Sequence, residues 1–135
     1  MTVGRKEIIV PITVEFEDID SYGIAHHTKL VSFLERARLR FLVALGVDVH
    51  AKNVVPVLYD LQMRFRKPVR ILDELDVAVY IKNYDEYRLT LGYEIRRGKE
   101  LVARATTSIA FSNLNEQHIA PAPKHFLDAM ASFLA

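Results

Sequence analysis

The chain has 135 residues, half of them apolar, which is enough for one domain with a sizeable core. Its 18 basic and 17 acidic residues leave a net charge of +1, a balance that argues against a dedicated nucleic-acid binder. It has no cysteine, which excludes disulfides, thiolate nucleophiles and cysteine metal sites together.

No apolar run reaches the roughly 18 residues that a membrane-spanning helix needs. The opening MTVGRKEIIVPI lacks a signal peptide's apolar segment and small-residue cleavage site, so the chain reads as cytoplasmic. KEIIVPITVEF (6–16) is rich in β-branched residues and predicts a strand, with Pro11 marking an edge or an irregular end. A polar loop follows over 17–27. In TKLVSFLERARLRFLVALG (28–46), Leu30, Phe33, Leu34, Ala37, Phe41, Ala44 and Leu45 recur at helical spacing. Val31, Leu39 and Val43 widen that stripe, so the helix is expected to be covered on most sides. Gly46 is its natural stop.

From residue 54 the period changes to two. Val57, Tyr59, Leu61, Met63 and Phe65 alternate with polar residues, and the same rhythm returns in ELDVAVYIKN, YRLTLGYEIR and ELVARATTSIAFSN. Each run has one apolar and one mixed face, as expected of an antiparallel sheet covered on one side. YDEY and RRGKE suit hairpin connections, with Gly98 at a position that favours positive φ. APAPKHFLDAMASFLA predicts a short amphipathic closing helix on Phe126, Leu127, Met130, Phe133 and Leu134. The order β, long helix, four β, short helix implies an α+β domain over 1–135, with a long antiparallel sheet wrapped around a central helix.

EFEDIDSYGIAHHTKL (15–30) crowds acids and two histidines into the loop before that helix. Polar residues ahead of a helix often serve only as caps or stay solvated. Three features favour chemistry. The loop feeds a helix N-terminus, where free N–H groups and the dipole favour an oxyanion. Gly23 permits a sharp turn or a close approach to a ligand. Asp20 precedes His27 by seven residues, room for the loop to fold back and set a carboxylate beside the helix start. A carboxylate and a backbone oxyanion site suffice to hydrolyse an activated acyl group.

VEFEDIDSYGIAHHTKLVSFLERAR resembles the signature of hotdog-fold acyl-CoA thioesterases of the 4-hydroxybenzoyl-CoA thioesterase-like group, especially the bacterial Tol-Pal-associated subfamily. Asp18 and Asp20 stand at the family's acidic pair, Gly23 at its glycine, Ile24 and Ala25 at its hydrophobic pair, and His26 and His27 at Tyr-His. RFRKPVRILDEL, ELVARATTSIAF and PAPKHF extend the likeness over nearly the whole chain. The resemblance implies a hotdog fold and Asp20 as the catalytic carboxylate, either nucleophile or general base. It implies that the His27 N–H polarises the thioester carbonyl. It further implies an acyl-CoA substrate, no metal or redox cofactor, and dimers or pairs of dimers with sites at the shared boundary. Lys29 and Leu30 depart from the family's Asn-Tyr, and His26 from its Tyr, which bears on substrate preference more than on reaction type.

Asp18 reads as structural, holding loop N–H groups. His26 and His27 lack the spacing of a metal pair. Glu35 reads as the partner of Arg36 or Arg38. Arg64, Arg66, Lys67 and Arg70 cluster about Pro68, while Lys82 and Arg88 flank YDEY; these are solvated edges or a surface for the phosphates of coenzyme A. Gly23, His26, Tyr59, Arg66, Lys82 and Arg88 are therefore the candidate substrate contacts, although Tyr59 and Phe65 read first as core. Two rival functions remain open: a dehydratase using His27 and Glu35, and a non-enzymatic acyl-CoA-binding protein.

Overall fold

The computed structural model describes residues 5–48, 50 and 53–135. In chain order the elements are β1 (Glu7–Thr13), a 3-10 turn (Phe16–Asp18), α1 (His27–Ala44), β2 (Val54–Phe65), β3 (Glu74–Tyr84), β4 (Arg88–Arg97), β5 (Glu100–Asn113), β6 (His118–Ile119) and α2 (Lys124–Leu134). One antiparallel sheet runs in the order β1-β3-β4-β5-β2, with β6 attached to β5. The predicted hotdog arrangement is found, with α1 lying over β1 and β3 on the inner face.

Alternation explains the core. Inner-facing Val77, Val79, Leu89, Leu91, Tyr93, Ile95 and Ile109 are all buried against Phe33, Leu34, Ala37 and Phe41 of α1. Tyr93 is fully buried and satisfies its hydroxyl at Thr107 Oγ1, 2.8 Å away. α2 closes one end through Phe126, edge-on to Phe111 at 4.7 Å between ring centroids, and Phe133, edge-on to Phe41 at 5.4 Å. Gly46, at φ +84°, ends α1: its N–H donates to the Val43 carbonyl, and the Val47 N–H reaches back to Leu42. Gly98 takes the expected positive φ, at 62°, in the β4–β5 hairpin.

Three departures matter. β1 ends at Thr13 instead of running to residue 16, because the chain turns into the 3-10 segment. α1 starts one residue earlier than the apolar stripe suggests, making His27 its first residue. In β2 the alternation breaks at a bulge between Leu58 and Asp60. Leu58 pairs with inner-facing Ile109 and Leu61 with inner-facing Thr107, whereas Val57 pairs with Ala110 on the outer face. Tyr59 sits in the bulge, 56% exposed, and Phe65 is 45% exposed at the strand's end, so neither is a core residue. β2 is a sheet edge that α1 does not cover. For the same reason Leu39 and Val43, expected to be covered, are half exposed on α1.

Candidate active site

The site loop is tied down at both ends by backbone. The Leu72 N–H donates to the Val14 carbonyl at 2.8 Å, and the Val14 N–H donates to the Asp73 carbonyl at 2.9 Å. Asp18 is buried at 7% exposure; its Oδ2 accepts the Glu15 N–H at 2.9 Å, and its carbonyl accepts the His26 N–H at 3.2 Å. That is the structural role expected of it.

Asp20 is the centre of a small closed turn. Its N–H donates to the Ile24 carbonyl at 2.9 Å, and its carbonyl accepts the Gly23 N–H at 3.1 Å. Its Oδ1 accepts the N–H groups of Tyr22 at 2.8 Å and Ile24 at 3.2 Å. Gly23 completes the turn at φ +76°, as the sequence suggested. Among the described residues Oδ2 of Asp20 has no hydrogen-bond partner, so one oxygen is anchored and the other is available.

The helix start lies a few residues on. His26 is the N-cap, with no side-chain capping bond. The Lys29 and Leu30 N–H groups donate to the His26 carbonyl, while those of His27 and Thr28 meet no acceptor among the described residues. Unpaired amides at the positive end of an 18-residue helix favour an anion or a polarised carbonyl. Beside them is a cavity of about 330 Å³ lined by Ala25, His27, Leu30, Phe65, Arg66, Lys67, Pro68 and Val69. The His27 ring meets Phe65 edge-on, with centroids 6.0 Å apart.

A second loop braces this arrangement. The Ala25 N–H donates to the Val69 carbonyl at 2.7 Å, the Ile71 N–H to the Gly23 carbonyl at 3.3 Å, and Ile24 bridges Arg70. Arg97 fixes that loop from β4: its guanidinium donates to the Pro68 carbonyl at 3.1 Å, to Asp73 at 2.6 Å, and to Glu100. Burial pushes the Asp73 carboxyl up, but the Arg70 N–H and Arg97 together hold it below the ordinary carboxylate range.

The candidates named from sequence fall into three places. Asp20, Gly23, His26 and His27 share the loop and helix start, and Arg66 joins His27 at the cavity. Tyr59 and Arg88 meet on the outer face, guanidinium 5.9 Å from the ring centre, beside a cavity of about 250 Å³. Lys82 lies apart from both and donates to Thr106 Oγ1 at 3.0 Å. Glu35 is ion-paired with Arg38, one of its two expected partners. Among the described residues no three metal-ligating side chains converge. Sequence reasoning undervalued Phe65 and Lys67 as neighbours of His27. Their contact with the helix start depends on the Ala25–Val69 backbone bond, which joins residues 44 positions apart and has no local signature.

Residues 14–130 match the family described as the thioesterase-like superfamily, and the chain belongs to it. It is 31% identical over 117 residues to a 1,4-dihydroxy-2-naphthoyl-CoA hydrolase of Thermosynechococcus vestitus, covering 82% of this chain and 80% of that one. It is 22% identical over 118 residues to the acyl-CoA thioesterase YbgC of Haemophilus influenzae, covering 84% and 87%. The fold matches the crystal structure of a Synechocystis 1,4-dihydroxy-2-naphthoyl-CoA thioesterase with a TM-score of 0.85 at 21% identity, over 93% of this chain and 96% of that one. The enzyme class expected from the sequence, a thioester hydrolase, is the class of this family.

Proposed function

We propose that this protein hydrolyses an acyl-CoA thioester to a free carboxylic acid and coenzyme A. The observation that supports the reading is a loop that anchors one oxygen of the Asp20 carboxylate, leaves the other without a partner, and ends seven residues later in two unpaired amides at a helix start. The thioester carbonyl oxygen accepts from the His27 N–H, which draws electron density from the carbonyl carbon. Asp20 Oδ2 then attacks that carbon, or takes the proton of a water that does; both routes break the C–S bond and end in acid plus thiol after one water is consumed. Arg66 and Lys67, flanking the cavity, are suited to the phosphates of coenzyme A. The reaction calls for no metal or redox cofactor.

Two protomers complete the unit. β2 offers a 12-residue edge with no partner strand among the described residues, and its inner-side Leu58 and Phe65 are exposed. A second copy pairing edge to edge covers these residues and satisfies the strand's outward amides. The dehydratase alternative wants a free helix carboxylate, whereas Glu35 is held by Arg38. A simple binder has no use for a carboxylate with a spare oxygen beside the thioester.

Thiol release measured over a panel of acyl-CoA esters, with parallel detection of enoyl products from a hydroxyacyl thioester, separates the three readings. Free thiol with at least one ester supports hydrolysis. Enoyl product without thiol would assign dehydration, and binding with neither product would assign a sensor.

A further inference from the structure

The outer face of the sheet breaks a pairing rule between β2 and β5. Thr107 faces inward, so its neighbours Thr106 and Ser108, and Arg104 two places further back, face outward. Gln62 pairs with Thr106, and Arg64 pairs with Arg104. Two arginines therefore stand directly opposite one another on neighbouring strands, with Cα atoms about 5 Å apart. Like charges in that relation destabilise a sheet. Arg64 makes no ion pair among the described residues. Arg104 reaches only Glu94, at 3.5 Å, and Glu94 is held more closely by Arg5 at 3.0 Å and Arg96 at 3.1 Å. Asp60, the other acid on this part of β2, accepts from Gln62 Nε2 at 3.4 Å instead. A third cation arrives from β3, where Lys82 Nζ donates to Thr106 Oγ1 at 3.0 Å and keeps two N–H donors unspent. Between these side chains lies a hollow of about 200 Å³ lined by Gln62, Met63, Arg64, Arg104, Ala105 and Thr106.

A local rule is broken where function asks for it. We propose that Arg64, Arg104 and Lys82, with the Thr106 hydroxyl, form a binding site for a phosphate group on the outer face of the sheet. Phosphate is a dianion near neutral pH, with a second pKa of about 6. Its oxygens point in several directions, so separate oxygens meet two guanidinium forks and an ammonium at once. A carboxylate brings one charge and two oxygens, which a single fork exhausts. The site is distinct from the hydrolytic one. Arg64 adjoins Phe65 in β2, but the alternation sends it to the face opposite the cavity at His27. Edge pairing of two β2 strands extends the sheet and leaves this face open. Two sources offer the same chemistry: free phosphate, and the phosphate monoester carried by coenzyme A.

Arg64→Glu turns the like pair into an opposite pair while removing one arm of the site. In chloride buffer its Tm is expected to rise about 2–4 °C above that of the wild type. Inorganic phosphate at about 10 mM, compared with chloride at equal ionic strength, is expected to raise the wild-type Tm by about 2 °C or more and to leave that of Arg64→Glu nearly unmoved. Isothermal titration with inorganic phosphate reads the affinity directly. Binding is expected to weaken about tenfold in Lys82→Gln, a change on another strand, and to be lost in Arg64→Glu. Titration with coenzyme A in place of phosphate separates the sources. Loss of coenzyme A binding in Arg64→Glu assigns the phosphate to the coenzyme, whereas equal coenzyme A binding beside lost phosphate binding assigns free phosphate. The proposal is overturned if Arg64→Glu binds both ligands as the wild type does, if it lacks the rise in Tm in chloride, or if Lys82→Gln leaves the affinity unchanged.

Discussion

The role proposed for residue 27 belongs to its backbone N–H, which every side chain except proline keeps. His26 already has φ −61° and ψ 145°, the conformation that a following proline requires, and the first helical position tolerates proline well. His27→Pro thus keeps the helix and deletes one N–H. Turnover is expected to fall about a hundredfold to a thousandfold, the usual cost of one oxyanion donor. His27→Ala keeps the N–H and is expected to lose much less, as seen in kcat for thiol release. The sequence placed Asp20, Gly23 and His27 in one loop ahead of an apolar helix, and the structure puts them there, with His27 as the first helical residue. The capture of Asp20 Oδ1 by the Tyr22 and Ile24 amides was not legible in the sequence, since it depends on the turn that Gly23 makes at positive φ.

At the scale of elements, the loop over residues 68–73 holds the segment before α1 through the Ala25 and Ile71 hydrogen bonds, and Arg97 holds the loop. Arg97→Ala removes partly exposed contacts worth about 1 kcal/mol, so amides of Val69 to Asp73 are expected to exchange roughly fivefold faster by hydrogen exchange. Unchanged exchange there would show that the loop stands without Arg97. Element types were readable from period alone, as the four sheet runs show. The bulge in β2 was not: nothing local distinguishes Leu58-Tyr59-Asp60 from regular alternation. Its effect is to turn Val57 and Tyr59 outward, away from the face that a strict period of two assigns them. The edge position of β2 is likewise a property of sheet order, which no single run encodes.

For the molecule as a whole, the outer sheet face is held by charge. Glu94 is buried among Arg5 at 3.0 Å, Arg96 at 3.1 Å and Arg104 at 3.5 Å. Burial pushes its carboxyl up, yet Arg5 and Arg96 outweigh this and hold it below the ordinary range. A carboxyl lowered in the folded state stabilises above its unfolded pKa, about 4.3 for glutamate. That contribution fades as pH falls from there through the folded value. Tm is therefore expected to drop with acid below about pH 4.3, and Glu94→Gln is expected to lower Tm at pH 7 while flattening that acid slope. An acid slope equal to that of the wild type would show that the cluster contributes nothing to pH dependence. The chain was placed in its family from the motif around Asp20 and His27, and the match over residues 14–130 bears that out. The most direct measurement is thiol release by Asp20→Asn beside the wild type, on protein whose circular dichroism and Tm confirm the fold. The account predicts that kcat falls at least about a hundredfold, as loss of a nucleophile or general base requires. Turnover at the wild-type rate would contradict it.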